Sequence, residues 1–401
     1  RRVLFRSIVS FTRMADCIVA FMIFNSTKAN AMGKKLNIFF SNSISSHKWG
    51  GGEKWMVTAA KGLSERGHRV MVSGKSNSIF LSNARNYGLE IIPLNFLEDY
   101  NPFKIWYTKR ILRREKVDVI VLNLKKDIRV AGIAARKAKV PVIIARNGIQ
   151  LFRDIWKHKK TAGLVDGIIT NTNSIRDVYN QFSWMDGNKT KVIYNGLKMN
   201  GAIEPQNIHD IWNIPKNHVV FVAAGRLTIQ KGFDLLINAI SDVKDSLKPF
   251  SVLIAGTGKE RKTLENLITK KGLVGTVKLI GFQHELSRVI QAADFVIMPS
   301  RHEGMPNVAM ESMALGKPVF ASNVNGVPEL INHRKTGYIM DELTVDEISK
   351  AIRFGMDNHG SEEIKNWGIE AKQQISNQFT FDGMLDQLES YFYTHMNISH
   401  R

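Results

Sequence analysis

From Lys34 onward, short apolar runs alternate with longer segments in which apolar residues recur every three or four positions. The runs at 36–40, 68–73, 89–94, 117–122, 140–145 and 167–170 are rich in Val and Ile and read as strands. Another at 192–194, ending in Asn195-Gly196, closes this series. Between them, segments such as 103–116 and 128–139 carry the helical period. A second series follows, with strands at 219–224, 251–255, 277–280, 295–298 and 319–321 and helices starting near Gly232, Gly258, His284 and Asn307. The tail, 348–358 and 361–396, is helical in period with a polar break near Gly360. This alternation predicts an α/β protein with two Rossmann-like, doubly wound parallel sheets. Residues 198–216, with Gly201, Pro205 and Pro215 and no strong period, read as the linker. The expected division is 1–31 as an extension outside the fold, 32–200 and 201–375 as two domains, and 376–401 as a helix returning to the first. Two such domains would face a cleft with the carboxyl ends of both sheets, where open α/β sheets bind ligands.

Composition narrows the class. A chain of 401 residues exceeds one ordinary core, and 44% hydrophobic with 23% charged residues suits a globular protein. The single cysteine, Cys17, excludes an internal disulfide framework and a cysteine-rich zinc site. No apolar run reaches the roughly 18 residues of a spanning helix. The net charge of +20 is uneven: +4 in 1–31, +18 in 32–200 and −2 in 201–401. The first domain should therefore face something anionic. With no RNA-recognition, zinc-finger or helix-turn-helix signature, a membrane surface or phosphorylated substrate fits better than nucleic acid. The segment 103–114 places Phe103, Trp106 and Tyr107 beside Lys104, Lys109, Arg110, Arg113 and Arg114, a mixture that suits a headgroup region. An ordinary sheet-packing helix with a solvated basic side explains it equally well. The first residues mimic a signal peptide, with Arg1, Arg2 and Arg6, an apolar 18–24 and Ala29-Asn-Ala31. Arg13 and Asp16 interrupt it, and Met32-Gly-Lys-Lys reads as a natural start, which favours an upstream extension.

Candidate chemistry gathers in the second series. The run 295–298 breaks at Pro299, passes through a loop with Glu303 and Gly304, and enters a helix carrying Glu311, eight positions after Glu303. Carboxylates at such a loop suit sugar or ribose hydroxyls; the plain alternative is a helix-end carboxylate and a solvated one. At the end of 219–224, Arg226 and Lys231 lie five positions apart on a loop, where two cations can clamp a diphosphate. Gly256-Thr-Gly258 offers close backbone approach, a weak signal alone. In the first half, Gly51 and Gly52 open a helix, either to approach a phosphate or simply to make a tight turn.

Together these residues resemble the retaining glycosyltransferases of the GT-B fold, in glycosyltransferase family 4. The resemblance runs over roughly 34–395 through Gly225-Arg-Leu227, Gln230-Lys-Gly232, Gly256-Thr-Gly258, Gly281-Phe282, Pro299-Ser300, Glu303-Gly-Met-Pro306, Glu311, Gly316-Lys-Pro-Val319 and Asn325-Gly-Val-Pro-Glu329. Gly51-Gly-Glu53 and Tyr194-Asn-Gly196 add to it from the first half. It implies that Glu303 binds donor-sugar hydroxyls, that the backbone of Gly304, Met305, Pro306 and Asn307 approaches sugar and phosphate, and that Glu311 holds the ribose. Arg226 and Lys231 would hold the diphosphate, Gly281-Phe282 the base, and Gly51 and Gly52 would approach donor or acceptor. Glu303, Arg226 and Lys231 are then the catalytic candidates, with no metal and no cofactor beyond the nucleotide-sugar substrate. Where many relatives carry His-Gly, this chain has Asn147-Gly148 preceded by Arg146; an amide can bond a hydroxyl but cannot act as a base. Arg146, Asn147 and, beside the glycine loop, His47 are the acceptor-side candidates, a solvated loop residue being the plainer reading of His47; His302 could tune Glu303 but reads more simply as structural or solvent-facing. The expected function is sugar transfer from a nucleotide-diphosphate sugar, a UDP-sugar foremost, to a lipid-linked, lipopolysaccharide or capsule precursor on the cytoplasmic face of the inner membrane. A soluble acceptor and a non-catalytic glycan- or anion-binding protein are the alternatives.

Overall fold

The computed structural model describes residues 34–96, 99–198 and 201–399. The expectations for 1–31, including the signal-like segment and Met32, lie outside these residues. Thirteen strands are present among those described: β1 (Asn37–Asn42), β2 (Arg69–Gly74), β3 (Glu90–Pro93), β4 (Val119–Leu122), β5 (Val142–Asn147), β6 (Gly167–Thr170), β7 (Thr190–Val192), β8 (Val219–Ala224), β9 (Phe250–Ala255), β10 (Val277–Gly281), β11 (Phe295–Met298), β12 (Val319–Ser322) and β13 (Tyr338–Met340). They form a seven-stranded sheet in the order β3-β2-β1-β4-β5-β6-β7 and a six-stranded sheet in the order β10-β9-β8-β11-β12-β13. Each order reverses direction once, between β1 and β4 and between β8 and β11, as in a doubly wound fold. β1 pairs parallel with β2 and β4, and β8 with β9 and β11.

Helices on both faces explain why the strands read as unbroken apolar runs. In β8, Phe221 and Ala223 join a core with Leu236, Ile240 and Trp367, while Val220 and Val222 join the opposite one with Ala309, Met313 and Ala371. β11 divides in the same way, Phe295 and Ile297 to one face and Val296 and Met298 to the other.

Two compact units divide the chain. One contains the residues up to Arg146, Ile155–Ile168 and the C-terminal segment from Leu385; the other contains Asn147–Asp154 and Ile169–Met384. The C-terminal helix, Phe381–Ser399, is fixed to the first unit by buried Leu388 and Phe392 and by Glu389, which accepts from Arg66 at 2.5 Å and meets His68 Nε2 at 2.7 Å. Three elements depart from the sequence reading. The segment expected to be a plain linker holds a short helix, Ile208–Ile211, and buries Ile208 and Ile214 in the second core. The strand expected at 192–194 lies earlier, at Thr190–Val192, and Tyr194 beyond it donates its hydroxyl to Glu329 at 2.9 Å. β13 was not anticipated, since its three residues are too short to show a period.

Candidate active site

Within the second unit, the loops after β8, β9 and β10 are knitted by main-chain bonds. Gly225 N donates to Ala255 O at 2.9 Å, Leu227 N to Thr257 O at 2.9 Å, and Gly256 N to Gly281 O at 2.7 Å. Glycine is required where they nest: a Cβ on Gly256 would lie 1.9 Å from Gly225 O. After a short turn, Ile229–Lys231, the chain reaches Gly232 in the left-handed region (φ 67°), and the helix Phe233–Val243 begins. A Cβ there would lie 1.8 Å from Pro299 O, so the basic loop abuts the loop that carries Glu303.

That proximity decides the electrostatics. Glu303 Oε1 accepts from Lys231 Nζ and from Ser300 Oγ, each at 2.6 Å. Among the described residues both bonds fall on Oε1, which leaves Oε2 able to accept from a hydroxyl. The loop is held from behind by Arg301, whose guanidinium donates to both oxygens of Asp234 at 2.8 and 2.7 Å and to Ile229 O at 2.6 Å. This pairing holds the Asp234 carboxyl below its usual range and raises Arg301. Gln230 Nε2 donates to His302 O at 2.8 Å, and Asn325 Nδ2 to Glu303 O at 2.5 Å. Two loops from β8 and β11, on either side of the strand-order reversal, are thereby stitched into one constellation.

The remaining second-unit candidates fall around it unevenly. Arg226 is exposed at the end of β8. Phe282 follows Gly281 (φ 71°), is 59% exposed, and meets the His284 ring edge-on, so its ring offers an open face to a planar base. Glu311 is half-buried on the helix Asn307–Ala314. Met305 and Pro306 are buried, and Met305 packs in the core. With the Asn171 amide oriented to satisfy both its groups, its oxygen accepts from Met305 N at 3.2 Å and its nitrogen donates to Gly148 O at 3.3 Å. The Met305 amide is then bonded within the protein. The Asn307 Oδ1 accepts from Asn195 Nδ2 at 3.0 Å. His302 is exposed.

Asn147, the acceptor-side candidate at the end of β5, lies inside the fold. It is fully buried, and its Nδ2 donates to the Tyr179 hydroxyl at 2.9 Å, which also receives Leu151 N and Phe152 N. Its Oδ1 is buried without a partner among the described residues. The amide supports the end of β5 rather than presenting a surface. In the first unit, Gly51 and Gly52 open the helix Gly51–Glu65, and His47 is exposed in the loop before it. Arg146 is buried with its guanidinium 4.5 Å from the Trp55 ring centre. Burial pulls its pKa down to about 10, opposed by the charge of Glu53, so it stays protonated near neutral pH.

Sequence reasoning named Ser300 and Asn325 without a role and missed Arg301, Asp234 and Asn171. It also missed a second support: Glu329 accepts from Asn173 N at 2.7 Å, Ser174 N at 2.9 Å and Asn173 Nδ2 at 2.8 Å, capping the helix Asn173–Asn180. The only hint in the sequence was Glu329's place in the Asn325–Glu329 run.

Comparison with known proteins settles the family. The chain matches the family described as Glycosyl transferases group 1 over residues 205–374 and Glycosyltransferase Family 4 over 49–200. It belongs to the family 4 glycosyltransferases. This glycosyltransferase is 26% identical to the lipopolysaccharide core biosynthesis glycosyltransferase LpsE of Rhizobium meliloti, over 76% of this chain and 85% of that one. It is 26% identical to the UDP-Gal:alpha-D-GlcNAc-diphosphoundecaprenol alpha-1,3-galactosyltransferase of Escherichia coli, over 61% of this chain and 67% of the other. Its fold is that of the Anabaena protein HepE, solved in complex with UDP and glucose, with a TM-score of 0.78 at 21% identity over 90% of this chain and all of that chain. The architecture is thus the two-domain GT-B fold, and the protein is an enzyme with relatives in surface-polysaccharide biosynthesis, not a binding protein without turnover.

Proposed function

We propose that this enzyme moves a sugar, with retention, from a UDP-sugar to a lipid-linked oligosaccharide, lipopolysaccharide or capsule precursor. The observation that carries the reading is the Lys231–Glu303–Ser300 cluster at the ends of β8 and β11, with Arg226 exposed on the same basic loop. Glu303 Oε2 would accept from a donor-sugar hydroxyl and Glu311 from the ribose. An ammonium has three donors, so Lys231 can keep one on Glu303 and turn another to the diphosphate. The Phe282 ring would stack on the base.

The chemistry follows from the charges. As the anomeric carbon–oxygen bond to the diphosphate breaks, positive character builds on the sugar and negative charge on the leaving phosphate. Arg226 and Lys231 would stabilise the latter, so the reaction needs no metal. An acceptor hydroxyl attacks the same face, forms the new carbon–oxygen bond, and gives its proton to the departing phosphate oxygen. No side chain need act as base, consistent with Asn147 in place of a histidine. Uracil is favoured by the UDP-Gal named for the Escherichia coli relative and by the UDP bound in HepE.

Charge supports an acceptor at a membrane. Among the described residues no helix is long and apolar enough to cross a bilayer. The helix Pro102–Arg114, with Trp106 exposed and both Arg113 and Arg114 in its last turn, suits peripheral attachment to the anionic cytoplasmic face of the inner membrane. A thermal-shift screen against UDP-, GDP-, ADP- and dTDP-sugars, followed by product analysis with isolated lipid acceptors, tests the reading. Stabilisation by a UDP-sugar and donor turnover lost in Glu303→Ala are expected. Unchanged turnover in that folded variant, or a product of inverted configuration, would sink it.

A further inference from the structure

Glu329 gathers four donors on one carboxylate. Its Oε2 accepts from Asn173 N at 2.7 Å, Asn173 Nδ2 at 2.8 Å and the Tyr194 hydroxyl at 2.9 Å, and its Oε1 accepts from Ser174 N at 2.9 Å. Two of these donors are main-chain amides at the start of the helix Asn173–Asn180, where unpaired N–H groups and the helix dipole favour a negative charge. That helix already has a neutral cap, since the Thr172 hydroxyl accepts from Ile175 N at 3.3 Å. The carboxylate is an addition from elsewhere: Glu329 sits on the short helix Val327–Leu330, and Asn173 lies 156 residues before it.

The turn that leads into this short helix touches the loop carrying Glu303. Asn325, in the left-handed region (φ 43°), donates from Nδ2 to Glu303 O at 2.5 Å. Gly326 has no room for a side chain, because a Cβ there would lie 2.5 Å from Gly304 O and 2.4 Å from Thr172 Cγ2. Gly304 is confined in turn by the loop after β5, its own Cβ position lying 2.4 Å from Gly148 O. The main chain of Glu303 and Gly304 is therefore packed against both Gly148 and the Asn325–Gly326 turn. Glu329, three positions further on, ties that turn to Asn173 and Ser174. All of these residues belong to the second unit.

We infer that Glu329 is a positioning residue for sugar transfer: by anchoring the Asn325–Gly326 turn on the helix Asn173–Asn180, it fixes the main chain from which Glu303 reaches the donor. The Glu303 side chain has holds of its own in Lys231 and Ser300, but both fall on Oε1 and neither fixes its peptide. Moving a reacting group by about 1 Å costs on the order of a hundredfold in rate. The charge of Glu329 matters because a glutamine there would keep one accepting oxygen and turn an NH2 group toward the remaining donors. The inference rests on the reading of Glu303 as the carboxylate that binds the donor sugar, and not on which base the donor carries.

The test is hydrolysis of UDP-hexoses and UDP-N-acetylhexosamines by the full chain, with UDP affinity and melting temperature measured on the same samples. Glu329→Gln should lower kcat about a hundredfold while the dissociation constant for UDP moves by about twofold or less. In the Glu303→Gln background the same change should cost nothing further, because it acts through that residue. Asn325→Gly tolerates the left-handed turn, removes the donor to Glu303 O, and should also lower kcat with UDP affinity kept; it decides the matter if Glu329→Gln does not fold. A kcat within about threefold of the unmutated value in either folded variant overturns the inference, as do losses that multiply with Glu303→Gln. If Glu303→Ala turns over donor normally, the reading of Glu303 fails instead, and this inference with it. Turnover of GDP-, ADP- or dTDP-sugars alone overturns only the choice of uracil, and the same variants are then compared on that donor and its nucleoside diphosphate.

Discussion

The two sheets reverse strand order in the same way, yet they fill the two reversal points differently. In the first sheet, Asp127 on the helix after β4 is fully buried and accepts Ser43 N, from the loop after β1, at 3.1 and 3.2 Å. In the second, the segments after β8 and β11 are joined by Lys231–Glu303 and Arg301–Asp234, side chains that range from 8% exposed at Glu303 to 42% at Asp234. A buried carboxylate that satisfies main-chain amides closes a junction; an accessible ion pair can exchange one partner for a ligand. The same topology therefore yields a strut in one sheet and chemistry in the other.

Four measurements would break or sharpen that contrast. The largest effect is expected from Glu303→Gln, which keeps the shape and removes the charge: kcat/KM should fall on the order of a thousandfold, with thermal stability little changed. A drop of less than tenfold would make the second junction structural as well. Next comes Gly232→Ala. It would need a left-handed alanine with its Cβ on Pro299 O, and should cost about 3 kcal/mol in urea unfolding, with donor turnover lost through displacement of the loop.

The third concerns the strut. Burial raises the Asp127 carboxyl to about 6, above its ordinary 3.8. Between these values the folded state binds the extra proton, so this group's contribution to stability is full below about 4 and is lost as pH rises through about 6. Asp127→Asn should flatten that slope, at most about 1.4 kcal/mol per pH unit, in unfolding curves collected from pH 4 to 7. An unchanged slope would assign it to other groups. The smallest effect is expected for Arg113→Glu with Arg114→Glu: stability should move by about 0.5 kcal/mol or less in solution. A larger loss would make those exposed cations part of the fold rather than of a surface.

Much of this was legible in the sequence because parallel strands buried on both faces leave unbroken Val- and Ile-rich runs, as in 119–122 and 142–145. Gly256 announced a close approach, though not which atom it approaches, and Gly232 gave no such sign. What stayed hidden is the pairing between loops far apart in the chain. Lys231 and Glu303 were both singled out, but their bond depends on the abutment of Gly232 and Pro299, which no local pattern encodes. Arg301 and Asp234 lie 67 residues apart, and only the fold brings them together. Asn147 was singled out by position alone, and the Tyr179 hydroxyl that takes its amide lies beyond any local pattern.

The return of the last helix bears on how the protein is made. Arg66 and His68 are translated early, but their partner Glu389 lies more than three hundred residues later. The first unit to leave the ribosome must therefore wait for the end of the chain before its edge is covered, while the second can close on residues already synthesised, as Asn173 does on Glu329. Synthesis from the amino terminus thus completes the units in the reverse of the order in which it begins them. A chain stopped before Leu385 should keep a folded second unit and leave the first open to proteolysis.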